Sequence, residues 1–97
     1  MTGSGVRILV VDDNEDNRYT LARRLRRDGW SDLTMAENGR EALGILAEER
    51  FDLVILDIMM PDVNGYEVLE NIKADPVTRD IPVLMISALS EFESVIR

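Results

Sequence analysis

Apolar residues fall along this chain in two alternating rhythms. Short, nearly unbroken runs occupy residues 6–11 (VRILVV), 33–36 (LTMA), 53–56 (LVIL) and 82–86 (PVLMI). Between them, apolar positions recur at helical spacing: Leu21, Ala22 and Leu25; Ala42, Ile45 and Leu46; Val68, Leu69 and Ile72. The unbroken runs suit strands of a parallel sheet buried on both faces, and the spaced positions suit helices that cover it. The pattern therefore predicts strands over 6–11, 33–36, 53–56 and 82–86. Helices are predicted over about 15–28, over about 40–49, and from Gly65 to just before Pro76, with a fourth beginning at about 91–97. Turn chemistry marks the joints. Asp or Asn at 12–14 and Asn38 are candidate N-caps, Gly29 sits where a helix C-terminus favours glycine, and Asn64-Gly65 precedes the third helix. The order β-α-β-α-β-α-β-α implies an α/β fold: one doubly wound parallel sheet with right-handed crossovers and helices on both faces.

Two of these strands run straight into carboxylates. The first ends in Asp12-Asp13 and the third in Asp57. In open parallel sheets ligands gather at the carboxyl ends of the strands, so the pattern places three acids along one edge. Like charges this close repel unless a cation or base compensates them. No Arg adjoins these strand ends in sequence, and the single lysine, Lys73, lies near the far end of the third helix. A hard divalent cation is the simplest compensation. Mg²⁺ takes one or two carboxylates, with carbonyl, water and phosphate oxygens completing an octahedron. Acids, a metal and an Asp at a strand end suit phosphoryl chemistry, with the carboxylate attacking phosphorus. Ser87, at the end of the fourth strand, then offers a hydroxyl to a phosphoryl oxygen. The plainer reading is that an Asp after a strand is a turn former or a cap. That reading explains each acid singly. It explains their joint occurrence with Ser87 at successive strand ends less well. Met59-Met60 beside an apolar strand reads as packing rather than a soft-metal site. Arg23, Arg24, Arg26 and Arg27 read as a solvated helix face.

Composition narrows the field. With 97 residues, 45% of them hydrophobic, the chain is one small domain. A net charge of −8 argues against binding nucleic acid or an anionic membrane. With neither His nor Cys there is no disulfide framework and no Cys/His zinc site. No apolar run approaches the ~20 residues that cross a bilayer. Residues 1–5, MTGSG, lack the basic and apolar regions of a signal peptide and read as a flexible tail ahead of a domain over 6–97.

At the strand-end acids the chain resembles the receiver domain of bacterial two-component response regulators. The resemblance rests on Asp12-Asp13 after one apolar strand and on Asp57 after another. It extends to Met60-Pro61-Asp62 and Gly65, and to a further apolar strand ending in Ser87-Ala88. It spans residues 6–97 and implies the flavodoxin-like receiver fold, whose five strands lie in the order 2-1-3-4-5. By this resemblance Asp57 is the phosphoacceptor of a phosphoryl group from a sensor kinase's phosphohistidine. Asp12, Asp13, Asp57 and the backbone carbonyl of Met59 hold Mg²⁺. Ser87 is the switch hydroxyl, and Ala88 is the small neighbour that leaves room for it. The expected partners are a sensor histidine kinase or phosphotransfer protein and an output domain or effector, in the cytoplasm. The domain is expected to be regulatory rather than an enzyme. Relatives carry a lysine at the end of a fifth strand, whereas these 97 residues run into the fourth helix. The expectation is therefore strand order 2-1-3-4, without the fifth strand, fifth helix or lysine, with self-association through the exposed edge. Two competitors stand beside this reading. An aspartyl-phosphate phosphatase of the haloacid dehalogenase type needs a second Asp two residues after the nucleophile, where this chain has Met59. An interaction domain of the same fold that no longer accepts phosphate is the other.

Overall fold

The computed structural model of the chain describes residues 5–58 and 64–86. Four strands and three helices alternate: β1 (Arg7–Val11), α1 (Glu15–Arg27), β2 (Asp32–Ala36), α2 (Gly39–Glu48), β3 (Leu53–Asp57), α3 (Gly65–Ala74) and β4 (Val83–Ile86). The strands form one parallel sheet in the order β2-β1-β3-β4. The doubly wound architecture read from the hydrophobic pattern is therefore present, with element ends shifted by a residue or two. Pro82 lies just outside β4, where it contributes only its carbonyl, accepting from the Val54 N–H at 3.0 Å. A proline has no N–H to give a ladder, so this position suits it. Residues 1–4, 59–63 and 87–97, which include the expected fourth helix, lie outside the described residues.

Each face of the sheet carries its own core. Leu9, Val11, Val54 and Leu56 face Ala42 and Leu46 of α2 and Val68 and Ile72 of α3. Ile8, Val10 and Ile55 face the opposite way, against the half-buried Leu21 and Leu25 of α1. This alternation follows from the two-residue period of a strand. It explains why β1 and β3, in the middle of the sheet, are apolar at consecutive positions. Helix ends follow local chemistry. Asn14, Asn38 and Asn64 each accept the N–H of the residue three further on, and at α3 Glu67 answers back to complete a capping box. Gly29 adopts φ 102, the left-handed conformation that ends α1. At the amino ends of the strands, Arg7 bonds Glu49 at 2.7 Å and the Arg50 carbonyl at 3.0 Å and lies 4.7 Å over the Phe51 ring. That cluster fastens the end of the sheet opposite the acids. No helix among the described residues is long and apolar enough to cross a membrane.

Candidate functional site

The sheet order decides which strand ends meet. β1 and β3 are neighbours, with Val11 beside Leu56 in register. One residue further on, Asp12 leaves β1 and Asp57 closes β3, so the two acids emerge side by side in the middle of the sheet. Chain order reverses here, because β2 lies on one side of β1 and β3 on the other. That is the switch point at which doubly wound sheets bind ligands. Asp13 follows in the β1–α1 turn. Carboxylate oxygens of Asp12, Asp13 and Asp57 lie within 4.8 Å of one another. Asp12 is 2% exposed and Asp57 1%, whereas Asp13 is open to solvent. The spacing and the all-oxygen donor set fit a small hard dication, and the exposed acid gives a solvent-facing side where water ligands can complete the shell.

The buried acids are fixed by their surroundings. The Asp12 N–H donates to the Ala36 carbonyl of β2 at 3.1 Å. Its carboxylate accepts the Asn14 N–H at 2.9 Å. Burial pushes the Asp12 carboxyl above the usual carboxylate range and the charge on Asp13 adds to this, while hydrogen bonding with Asn14, Asn17 and Asp57 pulls it partly back. A bound cation removes this conflict by stabilising the charged form.

Asp57 owes its position to a glycine. A Cβ built on Gly65, the first residue of α3, would lie 2.5 Å from the Asp57 carbonyl oxygen and 2.7 Å from the Ile58 Cα. The Gly65 N–H donates to the Ile58 carbonyl at 3.1 Å. Helix α3 therefore starts in direct contact with the peptide that follows Asp57, a distance no side chain permits. The β4 end is near as well: Ile86 pairs with Asp57, and its carbonyl accepts the Ile58 N–H at 2.8 Å. Ser87, Ala88 and Met59 lie outside the described residues.

Lys73 stays away from the acids. Its ammonium donates to the carbonyls of Arg79 and Ile81, at 2.9 and 3.1 Å, and closes the loop before β4. The sequence reading missed Arg18. Its guanidinium turns back from α1 and donates to the Asp12 carbonyl at 2.7 Å. The signal was its spacing: six residues after Asp12, within the second turn of a helix that starts at Glu15.

A doubly wound α/β domain with a carboxylate trio at its switch point defines the class. The family model of the response regulator receiver domain matches residues 8–97, and the chain belongs to that family. It is 43% identical over 83 residues to Response regulator MprA of Mycolicibacterium vanbaalenii, covering 86% of this chain and 35% of that protein. It is 42% identical over 83 residues to Response regulator PleD of Caulobacter vibrioides, covering 86% of this chain but 18% of that protein. Among solved structures, the N-terminal domain of a response regulator receiver protein from Methanoculleus marisnigri aligns with TM-score 0.79 at 48% identity, over 84% of this chain and 66% of that one. The fold, the strand order and membership of two-component signalling are thereby established. The chain spans about a third or less of the curated relatives' length.

Proposed function

We propose that the chain is a phosphoacceptor module that takes a phosphoryl group onto Asp57 from the phosphohistidine of a sensor kinase or phosphotransfer protein, in the cytoplasm. The observation that carries this reading is the trio Asp12, Asp13 and Asp57, its carboxylate oxygens within 4.8 Å of one another and two of its members buried. Asp57, held between Gly65 and Ile86, is the nucleophile. One of its carboxylate oxygens forms the new bond to phosphorus as the bond from phosphorus to the imidazole nitrogen breaks. The electron pair of that bond stays on the departing imidazole. Asp12, Asp13 and Asp57, with the backbone carbonyl of Met59, would hold Mg²⁺. When bound, Mg²⁺ neutralises charge on the phosphoryl oxygens and on the acids themselves. Ser87 would bond a phosphoryl oxygen, with Ala88 leaving space for its movement. An output domain or effector reads the resulting change. The module is regulatory, and its chemistry is limited to accepting and losing its own phosphoryl group.

The reading is tested with beryllofluoride, a mimic of the phosphoryl group, added with Mg²⁺ while backbone amide shifts are followed. Shifts should appear around Asp12, Asp13 and Asp57 and extend to the end of β4, and Asp57→Asn should abolish them. An interaction domain that no longer accepts phosphate gives no change with either protein.

A further inference from the structure

Arg18 is set apart from the other arginines of α1. Arg23, Arg24, Arg26 and Arg27 are exposed, whereas Arg18 is half-buried and reaches back over the turn that carries the acids. Its Nη1 donates to the Asp12 carbonyl at 2.7 Å. Asp12 is the last residue before the chain leaves the sheet. Its N–H is held by β2 through Ala36, and its carbonyl lies one residue beyond the end of β1. Arg18 supplies a donor to that carbonyl from a helix whose own start is fixed on the same turn. Asn14 caps α1 by accepting the Asn17 N–H at 3.0 Å, and the Arg18 N–H donates to the Asn14 carbonyl at 3.0 Å. Asp12 is thus held on both sides, its N–H by β2 and its carbonyl by α1, and the carbonyl bond fixes the peptide that leads on to Asp13.

We propose that Arg18 is a positioning residue for the cation site: by holding the Asp12 carbonyl it fixes the β1–α1 turn so that Asp12 and Asp13 converge on Asp57. The proposal rests on reading the trio as a Mg²⁺ site. Two effects of Arg18 oppose each other. Ordering the turn strengthens cation binding, while a guanidinium charge nearby repels a dication. The guanidinium engages the backbone oxygen, not a carboxylate, so it does not compete with the cation for a ligand oxygen, and salt at ~0.15 M weakens the repulsion without removing it. Ordering is taken as the larger effect, and the titration decides between the two. Removal of partners that orient metal ligands lowers metal affinity by about 10–100-fold.

The test is calorimetric titration of Mg²⁺ alone into the full chain at ~0.15 M salt, comparing wild type, Arg18→Met and Arg18→Lys well below each protein's unfolding temperature. Metal-free thermal unfolding is recorded alongside. Arg18→Met should weaken Mg²⁺ binding about tenfold or more, and Arg18→Lys, which keeps one donor and the charge, should fall between it and wild type. The Asp13 and Asn14 amide shifts of Arg18→Met should change before metal is added. Wild-type affinity in Arg18→Met, with or without loss of thermal stability, overturns the proposal and leaves the trio's reading intact. Tighter binding in Arg18→Met shows that charge repulsion dominates and overturns it too. A wild-type chain that does not bind Mg²⁺ at all overturns both.

Discussion

Gly65→Ala is the substitution that most sharply tests how α3 and β3 build the site. Gly65 is not required for its backbone angle; it is required because α3 begins against the peptide after Asp57. The added methyl would sit 2.5 Å from the Asp57 carbonyl oxygen and 2.7 Å from the Ile58 Cα, where ordinary contact starts at 3.4 Å. The shortfall is about 0.9 Å at the oxygen, and both obstacles are backbone, so no side chain can rotate away. Either α3 lifts or the end of β3 moves. Overpacking of this kind costs about 1–3 kcal/mol. Alanine's advantage over glycine is at most ~1 kcal/mol inside a helix, and less at its first position. A net loss of roughly 1–2 kcal/mol should lower the unfolding temperature of a domain this size by about 4–16 °C. Because the moving peptide belongs to Asp57, Mg²⁺ binding should weaken as well. Gly44→Ala provides the control. Gly44 lies inside α2, is exposed, and has nothing within 4 Å of an added Cβ, so this change should stabilise by about 0.5–1 kcal/mol. Thermal unfolding and Mg²⁺ titration of both variants decide the matter. A Gly65→Ala protein as stable as Gly44→Ala, with unaltered Mg²⁺ binding, would refute the claim that this contact positions Asp57.

Three further predictions follow from particular residues. Burial raises the folded-state carboxyl of Asp12 above its unfolded value, so the folded state binds that proton more tightly and the destabilisation is fully present above the raised value. Without Mg²⁺, stability should therefore rise as pH falls through that value from neutral, and Asp12→Asn should be more stable than wild type at neutral pH with a flatter profile; denaturant unfolding across pH checks both. Asn64→Ala removes the side-chain acceptor of the α3 capping box and should cost about 0.5–2 kcal/mol by the same measurement. Leu84 on β4 is 53% exposed, and among the described residues β4 pairs only with β3. A polypeptide of these 97 residues should therefore self-associate in sedimentation, and Leu84→Lys should reduce this, as charge on an edge strand does.

The parts of the fold that follow from period were legible in the sequence. Residues 53–56 are apolar at consecutive positions because both faces of β3 are covered, and that alone placed it in the middle of a parallel sheet. Asn38 announced a helix start because an Asx side chain before an apolar repeat has one common use, whereas Asn64 read as a turn residue and the structure makes it the cap of α3. The acids were legible for a related reason: strand ends are where such a sheet leaves polar groups facing water. What was not legible depends on distance between elements. Nothing in the letters says that α3 packs against the Asp57 peptide, so Gly65 read as a turn residue when its role is closeness. Arg18 was not singled out in the sequence, because the carbonyl it serves becomes reachable only once the turn before α1 has closed. Lys73 was correctly kept away from the acids, but its bonds to Arg79 and Ile81, across the loop before β4, could not be read from spacing.

Phosphorylation of Asp57 is open to direct measurement. The most direct measurement is labelling of the chain with a radioactive small-molecule phosphodonor in the presence of Mg²⁺, for wild type and Asp57→Asn, followed by peptide mapping of the label. The account predicts acid-stable, base-labile label on the peptide containing Asp57, dependent on Mg²⁺ and absent from Asp57→Asn. Label of equal amount on Asp57→Asn, or mapped to a different residue of the wild-type chain, would contradict it.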